Sequence, residues 1–117
     1  GQASIINFTE SPGSHWVALA ADHDYKRTLY YCDSAGGNLH KLKEIYSIDR
    51  AVVVNYNHHR LMRKNATLCG YFSASFISWF CDNPDMHFDE LLYNHGMSKD
   101  LLNNERIVTS YVHKELT

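Results

Sequence analysis

Three polar residues have the types and the order that nucleophilic catalysis needs. His15 follows a tight Pro-Gly turn, Asp33 comes later in the chain, and Cys69 stands directly before a strongly apolar segment. A thiolate can attack a carbonyl carbon, an imidazole can take up and return the proton, and a carboxylate can hold that imidazole in one tautomer. The set predicts acyl-transfer chemistry with a cysteine nucleophile.

The segment after Cys69 has the pattern of a buried helix over 70–81. Large aromatic side chains recur there at three- and four-residue spacings, at Phe72, Phe76, Trp79 and Phe80. A cysteine at the N-terminus of this helix would meet the positive end of the helix dipole, which favours the thiolate, and an imidazolium nearby would favour it further. The free N–H groups of the first turn could also bind an oxyanion.

The first half of the chain reads as short strands. We predict strands over 4–8, 15–21 and 28–33, and a buried strand over the apolar run 51–54. If 15–21 and 28–33 pair as a hairpin, His15 and Asp33 lie at the same end of the sheet. We then expect Nδ1 of His15 to face Asp33 and Nε2 to face the sulfur of Cys69.

The second half of the chain reads as helices. After the buried helix we expect a short helix that ends near Asn94 and stops at Gly96, and a last helix capped by Ser98. The apolar face of that last helix is predicted to comprise Leu101, Leu102, Val108, Tyr111 and Val112. Strands followed by helices indicate an α+β fold, with a small mixed or antiparallel sheet packed against a central helix that carries the cysteine.

Composition limits the function further. With 117 residues, 44% hydrophobic content and 21% charged residues, we expect a single globular domain over 1–117 and no cofactor-binding domain beside it. The net charge of −2 gives no general attraction to nucleic acid or an anionic membrane. No run of residues is long and apolar enough to span a membrane, and three cysteines suit a reducing compartment better than a disulfide framework.

Each of these features also has a simpler interpretation. A histidine at the start of a strand is commonly a surface residue, and an aspartate before Ser-Ala-Gly-Gly commonly forms a turn. A cysteine among aromatic residues is commonly part of an inert core. The basic cluster of His58, His59, Arg60, Arg63 and Lys64 is a solvated loop or a contact for an acidic partner or nucleic acid. The eight histidines show no metal-binding spacing, so no metal is predicted.

Three short motifs carry a resemblance to a known family. The segments 13–19 (GSHWVAL), 30–36 (YYCDSAG) and 68–72 (LCGYF) resemble the adenovirus-type cysteine proteases and the related Ulp-type SUMO proteases. That family shows His-Trp, an acidic residue at the end of a strand and Cys-Gly at the start of a helix, in the order His, acid, Cys. The resemblance covers about residues 4–80.

The resemblance implies a fold and a set of roles. It implies the adenain/Ulp-like cysteine proteinase core, with His15 as the general base, Asp33 as its orienting acid and Cys69 as the nucleophile. Gly70 opens the helix whose N–H groups would bind the oxyanion. Trp16 would pack beside the histidine, either as a plain core indole or as a substrate contact.

Two departures from the family pattern bear on activity. The family carries a glutamine, some six or seven residues before the cysteine, whose amide donates to the oxyanion. The matching position, seven before Cys69, is Met62, and methionine cannot donate. Asn57 or Asn65 could substitute, although neither has the motif's spacing. The family also has several tens of residues before its histidine. The chain is therefore expected to lack the family's N-terminal lobe and to have an open cleft or one completed by another chain.

Three functions remain at this point. The first is a viral thiol endopeptidase that cleaves capsid or polyprotein precursors inside a cell or a virus particle. The second is a Ulp-like isopeptidase that acts on ubiquitin- or SUMO-type modifiers, and the third is an inactive structural or binding protein on the same fold. The partners expected are a protein or peptide substrate and an activating partner chain, without a membrane; nucleic acid is not favoured.

Overall fold

The computed structural model describes residues 2–10, 13–21 and 27–117. The part of the chain that it describes forms an α+β fold, which confirms the predicted class. The elements in chain order are β1 (Ala3–Glu10), β2 (Gly13–Ala21), β3 (Thr28–Cys32), α1 (Leu39–Ile45), β4 (Val53–Tyr56), α2 (Cys69–Asp82), α3 (Phe88–Asn94) and α4 (Leu101–Glu115). Most of the predicted turn at 11–14 and of the polar loop at 22–27 lies outside the described residues.

The four strands form one mixed sheet in the order β1-β2-β3-β4. The first three are antiparallel neighbours, and β4 runs parallel to β3. Ala18 pairs with Cys32, so the hairpin predicted between β2 and β3 is present. As a result His15, near the start of β2, and Asp33, directly after β3, lie at the same end of the sheet.

The sheet separates two hydrophobic clusters. Helices α2, α3 and α4 cover one face, where Phe72, Phe76 and Trp79 of α2 pack against the sheet and against the later helices. On the other face Leu42 of α1 packs with a smaller group of strand residues, Phe8, Val17 and Tyr31. Successive residues of a strand point to opposite faces of the sheet, so the residues of β2 and β3 that share a cluster point to the same face.

Two elements of the sheet side differ from the prediction. The strand expected to be buried over 51–54 lies two residues later and forms the edge of the sheet, where Val53 is 58% exposed. A run of β-branched residues therefore marked an edge strand. Helix α1 was not predicted; Asn38 caps it, with its side chain accepting a hydrogen bond from the N–H of Lys41.

The helices of the second half follow the prediction with two corrections. Gly96 ends the α3 segment as expected, in a left-handed conformation at φ +87°. Helix α4, however, is capped by Asp100, and the Ser98 hydroxyl instead accepts a hydrogen bond from the N–H of Asp100. Its expected apolar face is interrupted, since Leu102 is exposed while Asn104 and Glu105 are buried. No helix in the described ranges is long and apolar enough to cross a membrane.

Candidate active site

Asp33 is held by three hydrogen-bond donors at the end of β3. Its Oδ1 atom lies 2.5 Å from Nε2 of His15 and accepts the N–H of Ala35 at 2.9 Å. Its Oδ2 atom accepts the hydroxyl of Tyr31 at 3.1 Å. Asp33 is only 4% exposed, so these contacts fix the orientation of its carboxylate.

The side chain of Asn57 clamps the backbone of Asp33. Its Oδ1 atom accepts the N–H of Asp33 at 3.0 Å, and its Nδ2 atom donates to the carbonyl oxygens of Asp33 and His59 at 2.6 and 2.9 Å. Asn57 is buried, and both N–H directions of its amide are used. The interpretation of Asn57 as a substitute oxyanion donor is therefore wrong, because its amide is a structural clamp.

His15 lies between Asp33 and Cys69, with the ring turned opposite to the expectation. Nε2 rather than Nδ1 faces the carboxylate, and because a carboxylate can only accept, Nε2 carries the hydrogen. This leaves Nδ1 as the ring atom that can exchange a proton with a thiol. The pKa of His15 is raised, mainly by the hydrogen bond to Asp33. Burial lowers this pKa, whereas the charge of Asp33 and a hydrogen bond with Cys69 raise it further.

Cys69 is the first residue of α2, as the sequence predicts. The side chain of the N-cap residue Leu68 makes no capping hydrogen bond. The first main-chain hydrogen bond of the helix runs from the N–H of Phe72 to the carbonyl of Leu68 at 3.0 Å. Within the described residues, the N–H groups of Cys69, Gly70 and Tyr71 have no main-chain acceptor. These groups stand at the positive end of the helix, beside the thiol.

Met62 lies in the hydrophobic core. It is 4% exposed and belongs to the hydrophobic cluster on the α2 face of the sheet. Its N–H donates to the carbonyl of Ser34 at 3.1 Å, and the Ser34 hydroxyl points at its sulfur at 3.8 Å. The side chain of Met62, which the sequence analysis places among the candidate oxyanion- or substrate-binding residues, thus packs in the core, where a flexible thioether fills space well.

Trp16 and Gly70 meet next to Cys69. Atom Cδ1 of Trp16 lies 4.0 Å from the position that a Cβ on Gly70 would occupy. Trp16 is 41% exposed, so it is not a core indole. Because Gly70 has no side chain, the indole of Trp16 lies close to the first turn of α2, beside Cys69.

Two residues of the site were missed at the sequence level. Tyr31 was not singled out, although it lies two residues before Asp33 and therefore shares its side of β3. Asn57 was considered only as a donor to the oxyanion, although it directly follows β4, the parallel neighbour of β3. Strand period and the shared end of parallel strands could have identified both.

The other two cysteines have different environments. Cys32 is fully buried, and this burial raises the pKa of its thiol strongly. Cys81 is exposed at the far end of α2. In the described part of the chain, no three His, Cys, Asp or Glu side chains come together in a way that could hold a metal ion.

Comparisons with known proteins give two related sequences. The chain is 33% identical over 87 residues to a thiol protease of Acanthamoeba polyphaga mimivirus, covering 64% of this chain and 28% of that protein. It is 30% identical over 97 residues to the protease of Bovine adenovirus 2, covering 70% of this chain and 47% of that protein. The chain thus spans less than half the length of these curated relatives. No family model matches it.

A solved structure shares the fold. ChlaDub1 from Chlamydia trachomatis superimposes with a TM-score of 0.58 at 19% identity, over 87% of this chain and 46% of that one. At this identity the match supports the fold alone. The two sequence matches confirm the resemblance that the motifs indicate: the chain is a relative of the adenovirus-type cysteine proteases.

Proposed function

We propose that the chain is the catalytic part of a viral thiol endopeptidase that cleaves capsid or polyprotein precursors. The observation that carries this proposal is the position of His15, bonded through Nε2 to a buried carboxylate and interacting with the thiol of Cys69 on its other side. The two viral protease relatives favour an endopeptidase over other acyl-transfer enzymes.

The proposed reaction proceeds in two halves. Nδ1 of His15 takes the proton of the Cys69 thiol, and the thiolate attacks the carbonyl carbon of the scissile peptide bond. The imidazolium, stabilised by Asp33, then gives its proton to the leaving amine, and a thioester remains on Cys69. In the second half His15 takes a proton from water, the hydroxide attacks the thioester, and the thiol is regenerated as the carboxylic acid product leaves.

In this proposal the oxyanion is bound by the first turn of α2 alone. The N–H groups of Cys69 and Gly70 point towards the N-terminal end of the helix, and the side chain at position 62 contributes no donor. Loss of one donor from an oxyanion site typically lowers the rate by about 10²–10³-fold. We therefore expect a slow protease unless a partner chain supplies the missing donor.

A Ulp-like isopeptidase is the second candidate. The flat indole of Trp16 beside Gly70 would admit a backbone without side chains more readily than a bulky one. Such an opening suits the glycine-rich tails of ubiquitin-type modifiers. An inactive protein on the same fold is the third candidate, and the buried Met62 is its main support.

Selective alkylation tests whether Cys69 is an activated nucleophile. The chain is treated with iodoacetamide between about pH 5.5 and 9, and the labelling of each cysteine is followed by mass spectrometry; an unperturbed thiol reacts mainly near pH 8.5 and above. Cys81 is the internal control, because it is exposed but has no imidazole partner among the described residues. We expect Cys69 to react rapidly below pH 7, and to lose this reactivity in His15→Ala. Equal pH profiles for Cys69 and Cys81 would contradict the proposal.

Substrate-like probes then separate the three candidates. Vinyl-sulfone probes built on ubiquitin or SUMO are compared with peptide vinyl sulfones of capsid-like sequence. Labelling of Cys69 by the peptides alone supports the endopeptidase, and labelling by the modifier probes alone supports the isopeptidase. An alkylation-competent Cys69 that neither probe labels favours the inactive binding protein.

A further inference from the structure

A cleft lies between the segment that follows β4 and the junction of α3 with α4. Its volume is about 370 Å³, within the range of about 300–1,000 Å³ that is typical of ligand pockets. Leu61, Leu92 and Met97 form the apolar part of its lining. None of the three residues proposed for catalysis lines this cleft.

The rim of the cleft is cationic. Arg60 and Lys99 line it together with the exposed imidazoles of His58 and His59. Of the described residues in the lining, only Asp89 is acidic. Since the chain as a whole carries a charge of −2, this positive rim is a local feature and not a reflection of the overall composition.

The two long cations of the rim have no acidic partner in the part of the chain that the structure describes. Arg60 donates from Nε to the carbonyl of Met62 at 3.0 Å and from Nη1 to the carbonyl of Ala35 at 3.2 Å. Neutral carbonyl groups hold this guanidinium in place without neutralising it. Over 2–10, 13–21 and 27–117, no carboxylate forms an ion pair with Arg60 or with Lys99.

We propose that this cleft binds an acidic segment of a partner protein, with one apolar side chain on the floor and a neighbouring carboxylate at Arg60 and Lys99. The apolar lining suits a leucine-sized side chain, and the fixed guanidinium suits a carboxylate. A nucleic acid fits less well, because the carboxylate of Asp89 lines the cleft and would face its phosphates. The site is thus an addition to the protease proposal and does not depend on it.

A ligand bound in the cleft would affect Asp33 through Asn57, because Asn57 lines the cleft and contacts the backbone of Asp33. The segment 57–61 forms one wall of the cleft, and the side chain of Asn57 accepts the N–H of Asp33 while its carbonyl accepts the N–H of Gly37 at 2.7 Å. A ligand that immobilises this wall should slow hydrogen exchange at those two amides. This gives a readout that needs no enzymatic activity.

Fluorescence anisotropy with a labelled peptide of alternating aspartate and leucine tests the site. The same peptide with lysine in place of aspartate is the charge control. Lys99→Glu places a carboxylate at the rim of the cleft, and Lys43→Glu makes the same charge change on the exposed surface of α1. We expect the acidic peptide to bind at least about 10-fold more weakly to Lys99→Glu than to the original chain, to be unaffected by Lys43→Glu, and to slow exchange at Asp33 and Gly37.

Three results would overturn the proposal. One is absence of binding at millimolar peptide, and another is equal weakening by both variants, which would indicate general electrostatic attraction. The third is a single-stranded oligonucleotide that binds more tightly than the peptide with the same dependence on Lys99, which would make the cleft a nucleic-acid site. Alkylation of Cys69 is measured separately, so a negative result for the cleft would not affect the protease proposal, which has its own test.

Discussion

The hydroxyl of Tyr31 donates a hydrogen bond of 3.1 Å to Oδ2 of Asp33, while Oδ1 of the same carboxylate faces His15. Tyr31 is fully buried, and burial, together with the charge of Asp33, raises the pKa of its hydroxyl. The hydroxyl therefore stays protonated and remains a donor throughout the range in which a thiol protease works. Tyr31 thus positions the carboxylate that in turn positions the imidazole.

Removal of this hydroxyl should weaken both the fold and the site. In Tyr31→Phe the buried carboxylate loses one of its three donors, which should lower the free energy of unfolding by about 1.5–3 kcal/mol. The rate of Cys69 alkylation at pH 6 should fall as well, because the carboxylate can then rotate away from His15. Tyr30→Phe is the matched control: Tyr30 is equally buried on the same strand but faces the other side of the sheet. Equal effects of the two variants on alkylation would show that Tyr31 acts only through packing.

The pair of His15 and Asp33 should make stability depend on pH in a defined direction. The pKa of His15 is raised in the folded chain, mainly by its hydrogen bond to Asp33. A raised pKa contributes stability that is fully present below the unfolded value of about 6.5 and is lost as pH rises through the folded value. The difference in free energy of unfolding between the original chain and His15→Gln should therefore be larger near about pH 6 than near about pH 9.

Chemical denaturation at a series of pH values checks this dependence. His59→Gln serves as the control, since His59 is exposed and its imidazole has no acidic partner in the described ranges. The control difference should change little with pH. A His15→Gln difference that grows as pH rises would show that the imidazole is held neutral in the folded chain.

The sequence predicts the strands and the helix that carry His15, Asp33 and Cys69, but it does not predict the long-range contacts that hold these elements in place. The hairpin of β2 and β3 and the helix after Cys69 follow from local patterns, and the structure confirms both elements. The contacts of Asn57 with Asp33 and of Glu105 with Arg63 join residues 24 and 42 positions apart, and no local pattern reports such pairs. The edge position of β4 was missed for the same reason, because a run of valines looks alike in the centre and at the edge of a sheet.

Restoring the family's glutamine at position 62 should not restore an oxyanion donor. Met62 is buried beside Ser34, so the amide of Met62→Gln would be enclosed in the hydrophobic cluster. A buried amide with incomplete hydrogen bonding should lower the free energy of unfolding by about 1–3 kcal/mol. Cleavage of a peptide substrate should not accelerate.

Met62→Leu, which keeps an apolar side chain of similar size, should cost less than about 1.5 kcal/mol. A gain in rate of 10-fold or more in Met62→Gln would mean, by contrast, that this segment can turn its side chain towards Cys69 (10-fold corresponds to about 1.4 kcal/mol).

Helix α4 should prove essential for holding the segment that leads to Cys69. Asn104 is fully buried; its Nδ2 donates to the carbonyls of Leu61 and Ser98 at 3.1 and 2.7 Å, and its Oδ1 accepts the N–H of Ser98 at 2.9 Å. The next residue, Glu105, accepts the N–H of Arg63 at 2.9 Å and also pairs with its guanidinium. Two adjacent polar side chains thus fix the backbone over 61–63.

The variant Asn104→Leu keeps the volume of the side chain but leaves those three main-chain groups without partners. We expect a loss of about 3 kcal/mol in the free energy of unfolding, measured as a lower denaturant midpoint with an unchanged slope. Asn103→Leu is the control, because Asn103 is exposed and only its backbone N–H takes part in the helix cap; its cost should stay within about 0.5 kcal/mol. Similar costs for the two variants would mean that 61–63 is held by its own contacts with Ser34, and that α4 merely packs against it.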